Sequence, residues 1–215
     1  MIIHTPGKYI WPPRPETKVP PKGISSYESR NWVAQPKLNG SCAELITDGT
    51  NTTFMSRHND TFANYGLSTK ELASLHNIWC LKGYMVLVGE YMNKSQRGSD
   101  GQVFNQKFVI FDILMYGDKH LSGRTFKERQ DLLDLLYPEW TKDSENNFLI
   151  KITDNMYRCR SFSNLAEIYE NLVRIDMYEC IVMKDPTSKL GNGLRQVNNT
   201  KWQAKCRKPT KNYQW

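Results

Sequence analysis

Pro36-Lys37-Leu38-Asn39-Gly40-Ser41 is the stretch on which the reading of this chain turns. Trp32-Val33-Ala34 before it and Ala43-Glu44-Leu45-Ile46-Thr47 after it are apolar or β-prone, and the residues between carry the Asn-Gly pair of a turn. A lysine in that place lies at the mouth of a sheet. Taken alone, K-x-N-G describes a hairpin with an exposed lysine beside its turn. Lys37 becomes a candidate nucleophile only if partners elsewhere in the chain support it.

Upstream, residues 1–23 hold six prolines and few core-forming side chains, which predicts an arm laid along the surface and anchored by Trp11. The globular domain is expected over 24–215. Downstream, Thr52-Thr53-Phe54-Met55-Ser56-Arg57 reads as a short strand with Arg57 at its end. Ser68-Thr69-Lys70-Glu71 is a capping box that starts a helix running to about Asn77. Tyr84 to Met92 is a buried strand that ends on a carboxylate, Glu90, and Lys107 to Leu114 is the most strand-like run of all. A second capping box, Thr125 to Glu128, opens a helix that Pro138 ends, and Ser163 is placed to cap a third. Phe148 to Ile152, Glu179 to Lys184 and Lys201 to Arg207 complete the strands. Strands and helices mix without regular βαβ alternation, so the predicted class is α+β with mainly antiparallel sheets flanked by helices.

The 215 residues suffice for a substantial core, and a mean hydropathy of -0.62 with 24% charged residues describes a soluble protein. No stretch approaches the roughly 20 apolar residues of a membrane helix, and the first residues lack a signal-peptide pattern. The expected location is the cytoplasm, or the host cytoplasm if a virus encodes the chain, with no membrane partner. Five widely spaced cysteines without a C-x-x-C pair argue against zinc or a disulfide framework. The net charge of +7 favours a polyanionic partner, and its distribution says more. Lys184 to Lys211 carries eight Lys or Arg against one Asp, and Met1 to Lys37 six against two. If the two ends fold together, their charge meets at one cleft.

Three strand-like runs contain charges that a purely structural sheet avoids. Glu90 ends one, Glu179 and Lys184 bracket another, and Lys205 and Arg207 alternate on the last. Residues i and i+2 of a strand face the same way, so Lys205 and Arg207 project together, opposite Trp202 and Cys206. A solvated strand end explains each charge singly, but not their joint order.

That order resembles the covalent nucleotidyltransferase superfamily of ATP-dependent DNA ligases, RNA ligases and mRNA capping enzymes, over about residues 30 to 208. K-x-D-G is matched by Lys37-Leu38-Asn39-Gly40, Ser-Arg by Ser56-Arg57, and the strand-ending Glu by Gly89-Glu90. F-x-h-F-D-I appears as Phe108 to Ile113, E-G-h-V-h-K as Glu179 to Lys184, and W-x-K-x-K as Trp202 to Arg207. The resemblance implies a nucleotidyltransferase domain of the ligase type, ATP-grasp-like, in which the Lys37 amine attacks the α-phosphorus of a nucleoside triphosphate to give a lysyl-nucleotide. Lys37, Lys184 and Lys205 are the implied catalytic residues, neighbouring cations being expected to lower the lysine pKa. Gln35, Lys37, Asn39, Arg57, Glu90, Phe111, Glu179, Lys184, Lys205 and Arg207 are the implied nucleotide-binding set. Glu90 and Glu179 are candidate ligands for Mg²⁺ or Mn²⁺. ATP is the expected cofactor, although the residues do not exclude GTP.

Gly40-Ser41 and Cys42, the latter where many DNA ligases and capping enzymes carry arginine, point to the phage-type RNA ligase branch. Asn39 departs from the family's Asp and Cys180 from its Gly. Eight residues follow Arg207, which leads to the expectation of a catalytic domain alone, without an OB-fold, and of a protein partner supplying an accessory domain. The expected activity is RNA ligation, with lysyl-AMP transferring AMP to a 5′-phosphate that is then sealed to a 3′-hydroxyl, and with RNA favoured over DNA as the nucleic-acid partner. Alternatives are a minimal DNA ligase, a capping guanylyltransferase, or a nucleic-acid-binding module that keeps the fold without catalysis.

Overall fold

The structure is a computed structural model, and it describes residues 9–48, 50–62, 65–72, 83–139, 147–196 and 198–209. Four strands make one sheet, in the order β1 (Arg14–Lys18), β13 (Asn199–Arg207), β12 (Tyr178–Lys184), β2 (Val33–Leu38). The larger sheet runs β10 (Leu149–Lys151), β11 (Met156–Cys159), β8 (Lys107–Tyr116), β5 (Met85–Met92), β3 (Ser41–Thr47), β4 (Thr52–Ser56), with β9 (Lys119–His120) paired to β8. A short ribbon of β6 (Gln96–Arg97) and β7 (Val103–Phe104) stands apart. The helices are α1 (Ser25–Glu28), α2 (Phe126–Leu136) and α3 (Leu165–Leu172).

The α+β class holds, but the sheets are mixed, because β1 runs parallel to β13 and β11 parallel to β8. Neither pair is joined by a short connection, so no hairpin forces the antiparallel sense. Asn39-Gly40 is not a hairpin turn either. β2 joins the four-stranded sheet and β3 the larger one, so the chain crosses between sheets immediately after Lys37. Two local contacts fix that crossing: Asn39 N–H donates to the Met177 carbonyl at 3.0 Å, and Gly40 N–H donates to Glu90 Oε1 at 3.0 Å. A Cβ at Gly40 would run into the Tyr91 carbonyl oxygen, which is why only glycine fits.

Both capping boxes form. Thr125 Oγ1 accepts from Glu128 N–H at 3.1 Å while Thr125 N–H donates to Glu128 Oε2 at 2.7 Å, starting α2. Ser68 and Glu71 make the same reciprocal pair, and the remainder of the helix expected there, beyond Leu72, lies outside the described residues. The third helix starts one residue later than the sequence suggests: Asn164 is the N-cap residue of α3.

The apolar residues form three layers. One lies between the four-stranded sheet, α3 and the edge of the larger sheet, around Ala34, Tyr178, Ile181, Cys206 and Leu172. A second joins one face of the larger sheet to α2 through Leu45, Leu87, Ile110, Ile113, Leu133 and Leu136. The third is where Ile10 of the N-terminal segment packs on Val86, Val88, Leu114 and Met115. The segment then continues into β1, whose register pairs Arg14 with Asn199 and Lys18 with Lys205. The two basic ends of the chain therefore meet in one sheet.

Candidate active site

A cleft of about 630 Å³ opens between the sheets. Nine of the ten residues expected to bind nucleotide line it: Gln35, Lys37, Arg57, Glu90, Phe111, Glu179, Lys184, Lys205 and Arg207. Asn39 does not. Its place in the crossover commits its backbone to Met177, and the cleft wall is made by its neighbours Leu38 and Gly40.

Two of the lining side chains stand at irregularities in strand pairing. Along β5 and β8 the register passes from Gly89↔Ile110 to Val88↔Asp112, leaving Phe111 as an extra residue. Along β2 and β12 it passes from Leu38↔Tyr178 to Lys37↔Cys180, leaving Glu179 extra. Such bulges break the in-out alternation and re-aim a side chain, here into the cleft in both cases. The second is held by an unusual backbone, since Cys180 has φ of +140°, a region that favours glycine. The departure at Cys180 thus keeps the glycine-like backbone.

Glu179 is the hub of one end of the cleft. Its Oε2 lies 2.7 Å from Lys37 Nζ and 2.9 Å from Arg207 Nη2. On the same strand as Arg207, Lys205 reaches the Pro15 carbonyl at 3.4 Å, and burial, reinforced by the charges of Arg207 and Lys37, lowers its pKa. Glu90, across from Lys37 on the larger sheet, is pushed up to about 7 chiefly by burial. Lys37, the Gly40 N–H and Arg57 pull it down, while Glu179 pushes it further up.

Lys184 is wholly buried at the back of the cleft and its pKa is lowered to about 8, first by burial and against the pull of Asp112. Its amine donates to Gln35 Oε1 at 2.6 Å and lies 5.1 Å from the centre of the Phe111 ring and 4.6 Å from that of Phe126. Gln35 is itself fixed, donating to Gln130 Oε1 at 2.8 Å, and Gln130 donates to the Phe111 carbonyl at 3.2 Å. Directly after the bulge, Asp112 makes a buried bidentate pair with Arg129 of α2, at 2.8 and 2.9 Å. The bulge that presents Phe111 is thereby tied to the helix behind it.

The sequence alone did not identify Gln130 or the cleft wall of Pro12, Pro13 and Arg14. A glutamine one turn into a helix carries no signal of its own. Arg14 had one, as a charge within a proline run at the basic end of the chain.

Among the described residues no three of His, Cys, Asp and Glu gather as a metal cage. Glu90 and Glu179 do sense one another's charge across the cleft. Two carboxylates fit a hard divalent ion of the magnesium kind, which takes one or two carboxylates and completes its shell with phosphate and water oxygens.

Residues 16–203 match the family described as ATP dependent DNA ligase domain. No curated protein sequence matches. Among solved structures, the chain is similar to the ligase domain of LigD from M. tuberculosis (TM-score 0.55, 15% identity, 91% of this chain and 58% of that one). It is also similar to Pmar-Lig_PreS3 (TM-score 0.64, 15% identity, 93% and 47%) and to the ATP-dependent DNA ligase of bacteriophage T7 in complex with ATP (TM-score 0.53, 15% identity, 92% and 68%). The chain thus spans about half of the first two, and at these identities the likeness shows the fold.

These findings overturn the assignment to the RNA ligase branch. That assignment rested on Gly40-Ser41 and Cys42, and the structure explains why they do not discriminate. Gly40 is required by its contact with Tyr91 whatever the substrate, and Cys42 is a wall residue beside which another element supplies an arginine, Arg14. With a family match over most of its length and the ligase fold around its cleft, this chain belongs to the ATP dependent DNA ligase domain family.

Proposed function

We propose that the protein is an ATP-dependent DNA ligase that works through lysyl-AMP at Lys37. The observation that carries this reading is the placement of Lys37 Nζ in the cleft, 2.7 Å from Glu179 and among the side chains of Lys184, Lys205, Arg207 and Phe111. An amine attacks phosphorus only with a free lone pair, and Glu179 is placed to accept the proton that Lys37 gives up. Lys205 and Arg207 face the position where charge builds on the α-phosphate oxygens, and Lys184 adds a buried cation behind them. Preorganised positive charge of this kind is the main electrostatic requirement of phosphoryl transfer. The Phe111 ring, held between its bulge and Lys184, provides a flat apolar face for the adenine. A divalent ion held by Glu90 and Glu179 would further neutralise phosphate charge.

Lys37 then carries AMP as a phosphoramidate. A 5′-phosphate at a DNA nick displaces the lysine to form an adenylylated end, and the adjacent 3′-hydroxyl seals the strand with release of AMP.

The test is covalent labelling with ATP or GTP carrying a labelled α-phosphate, in Mg²⁺, on protein freed of bound nucleotide. Label from ATP that disappears in Lys37→Ala, followed by sealing of nicked DNA, is the expected result. Absence of label in folded wild-type protein would remove the reading, label from GTP alone would move it to guanylyl transfer, and sealing of nicked RNA in preference to DNA would reverse the choice of substrate.

A further inference from the structure

Apart from the buried Lys184, the cations of the cleft fall into two groups. Lys37, Lys205 and Arg207 gather around Glu179. Arg14 and Arg57 gather around Cys42, whose thiol feels the charge of both. Nearly all have partners within the protein. Lys37 and Arg207 pair with Glu179, Lys184 with Gln35, Lys205 with the Pro15 carbonyl, and Arg57 donates to His58 at 3.1 Å. Arg14 is the exception: among the described residues its guanidinium has no hydrogen bond and no ion pair, although it is half-buried in the cleft wall.

Its backbone, by contrast, is locked. Arg14 N–H donates to the Asn198 carbonyl at 2.8 Å, its own carbonyl accepts from Thr200 Oγ1 at 3.0 Å, and Pro13 and Pro15 flank it with fixed φ. A half-buried guanidinium on a rigid strand, with none of its five donors used among the described residues, is free to receive an anion that enters the cleft.

The proposed reaction brings two phosphates into this cleft. The first becomes attached to Lys37 and belongs with the group around Glu179. The second must approach that same phosphorus from outside. We infer that Arg14 binds this second phosphate, the 5′-phosphate of the strand that receives AMP, and so acts as a positioning residue for the transfer step. The inference rests on the ligase reading. In the step concerned, an oxygen of the 5′-phosphate attacks the phosphorus of lysyl-AMP, a P–O bond forms as the P–N bond breaks, and the electron pair returns to the Lys37 nitrogen, which takes up a proton. A bidentate arginine fork suits a phosphate dianion and holds it in one orientation. Cys42 of β3 lines the cleft with Arg14 of β1, whose charge its thiol feels.

The alternative source of the same anion chemistry is the pyrophosphate portion of ATP, and the two steps separate them. Arg14→Gln is compared with wild type in labelling of Lys37, and then, using protein already adenylylated, in single-turnover transfer of AMP to a nicked duplex. Loss of a charge-assisted contact predicts transfer slowed by about tenfold to a hundredfold, with labelling changed less than threefold. Gel-shift binding, which needs no catalysis, is expected to lose its preference for a nick with a 5′-phosphate over one with a 5′-hydroxyl. Adding Cys42→Arg to Arg14→Gln is expected to restore part of the transfer rate. An equal fall in both steps would assign Arg14 to the triphosphate and overturn the inference, as would transfer at the wild-type rate. Failure of wild-type protein to label at all would strike the ligase reading, whereas the 5′-phosphate preference in the gel shift would still test Arg14.

Discussion

Glu90 and Glu44 lie on neighbouring strands of one sheet, and both are raised in pKa by burial, yet their surroundings differ in kind. Glu90 stands at the cleft, accepts the Gly40 N–H, and feels Lys37, Arg57 and Glu179. Glu44, two residues beyond Cys42 on β3, is fully buried between Met55 and Val88, and neither of its oxygens has a hydrogen-bond partner. The tyrosine and thiol that sense its charge, Tyr9 and Cys42, are themselves raised by burial. Burial alone therefore does not distinguish a cleft carboxylate from a core one. What marks Glu90 is the set of opposing charges that hold it near the titration range. Glu44 has only the desolvation, which raises its pKa well above the ordinary carboxylate range.

The sharpest test of this contrast is to remove each charge in turn. Glu90→Gln keeps an oxygen to accept from Gly40 and so keeps the crossover after Lys37, but it loses the negative charge. Formation of lysyl-AMP is expected to fall by about a hundredfold or more, with the thermal melt nearly unchanged. Retained labelling would mean that the cleft uses Glu90 only as a hydrogen-bond acceptor.

Glu44→Met should do the reverse. Replacing an unpartnered buried carboxyl with an apolar side chain of similar length is expected to stabilise the fold by about 1–3 kcal/mol, with labelling within twofold of wild type. The effect has a definite pH dependence. The folded-state pKa lies well above the unfolded value near 4.5, so the folded protein retains a proton that the unfolded chain releases. Stability from this group is fully present below that unfolded value and is lost as pH rises towards the folded one. The advantage of Glu44→Met in denaturant melts should accordingly be least at pH 4, where only the buried neutral carboxyl is relieved, and grow as pH rises above the unfolded value. A constant difference across that range would show that Glu44 finds a partner once ionised.

The same contrast explains what the sequence could reveal. Glu90 was legible because it ends an apolar strand, where a charge has no structural use, and because Lys37, Glu179 and Lys205 follow a family order. Glu44 sits in an equally apolar run and carries no such context, so it passed as part of a strand. The strands themselves were readable from their apolar runs, and the helix starts from reciprocal Ser/Thr and Glu pairs. The crossover at Asn39-Gly40 was not, because an Asn-Gly pair favours a turn locally while the destination of the next strand depends on contacts with Met177 and Glu90, far away in sequence. The two bulges escaped for the same reason, since register is a property of strand pairs and not of either strand. The choice of substrate branch failed because it was drawn from residues that answer to close packing.

The bulge at Glu179 gives the smallest and most local test. It places this carboxylate opposite Glu90, and it depends on Cys180 adopting φ of +140°. Glycine there would relieve strain of about 1–3 kcal/mol, but it would free the unfolded backbone at a cost of roughly 0.5–1 kcal/mol. It would also give up a fully buried side chain whose thiol reaches towards the Tyr169 carbonyl. These terms oppose one another, and Cys180→Gly is expected to change stability by no more than about 1 kcal/mol in either direction. Cys180→Val is a different matter, because a β-branched residue tolerates this backbone least and also adds bulk at a fully buried site. It should melt several degrees below Cys180→Gly and lose labelling in proportion as the bulge relaxes and Glu179 turns away from Lys37. Equal melts for the glycine and valine variants would mean that the strand accepts ordinary backbone at position 180, and the aim of Glu179 would then have to come from its ion pairs with Lys37 and Arg207.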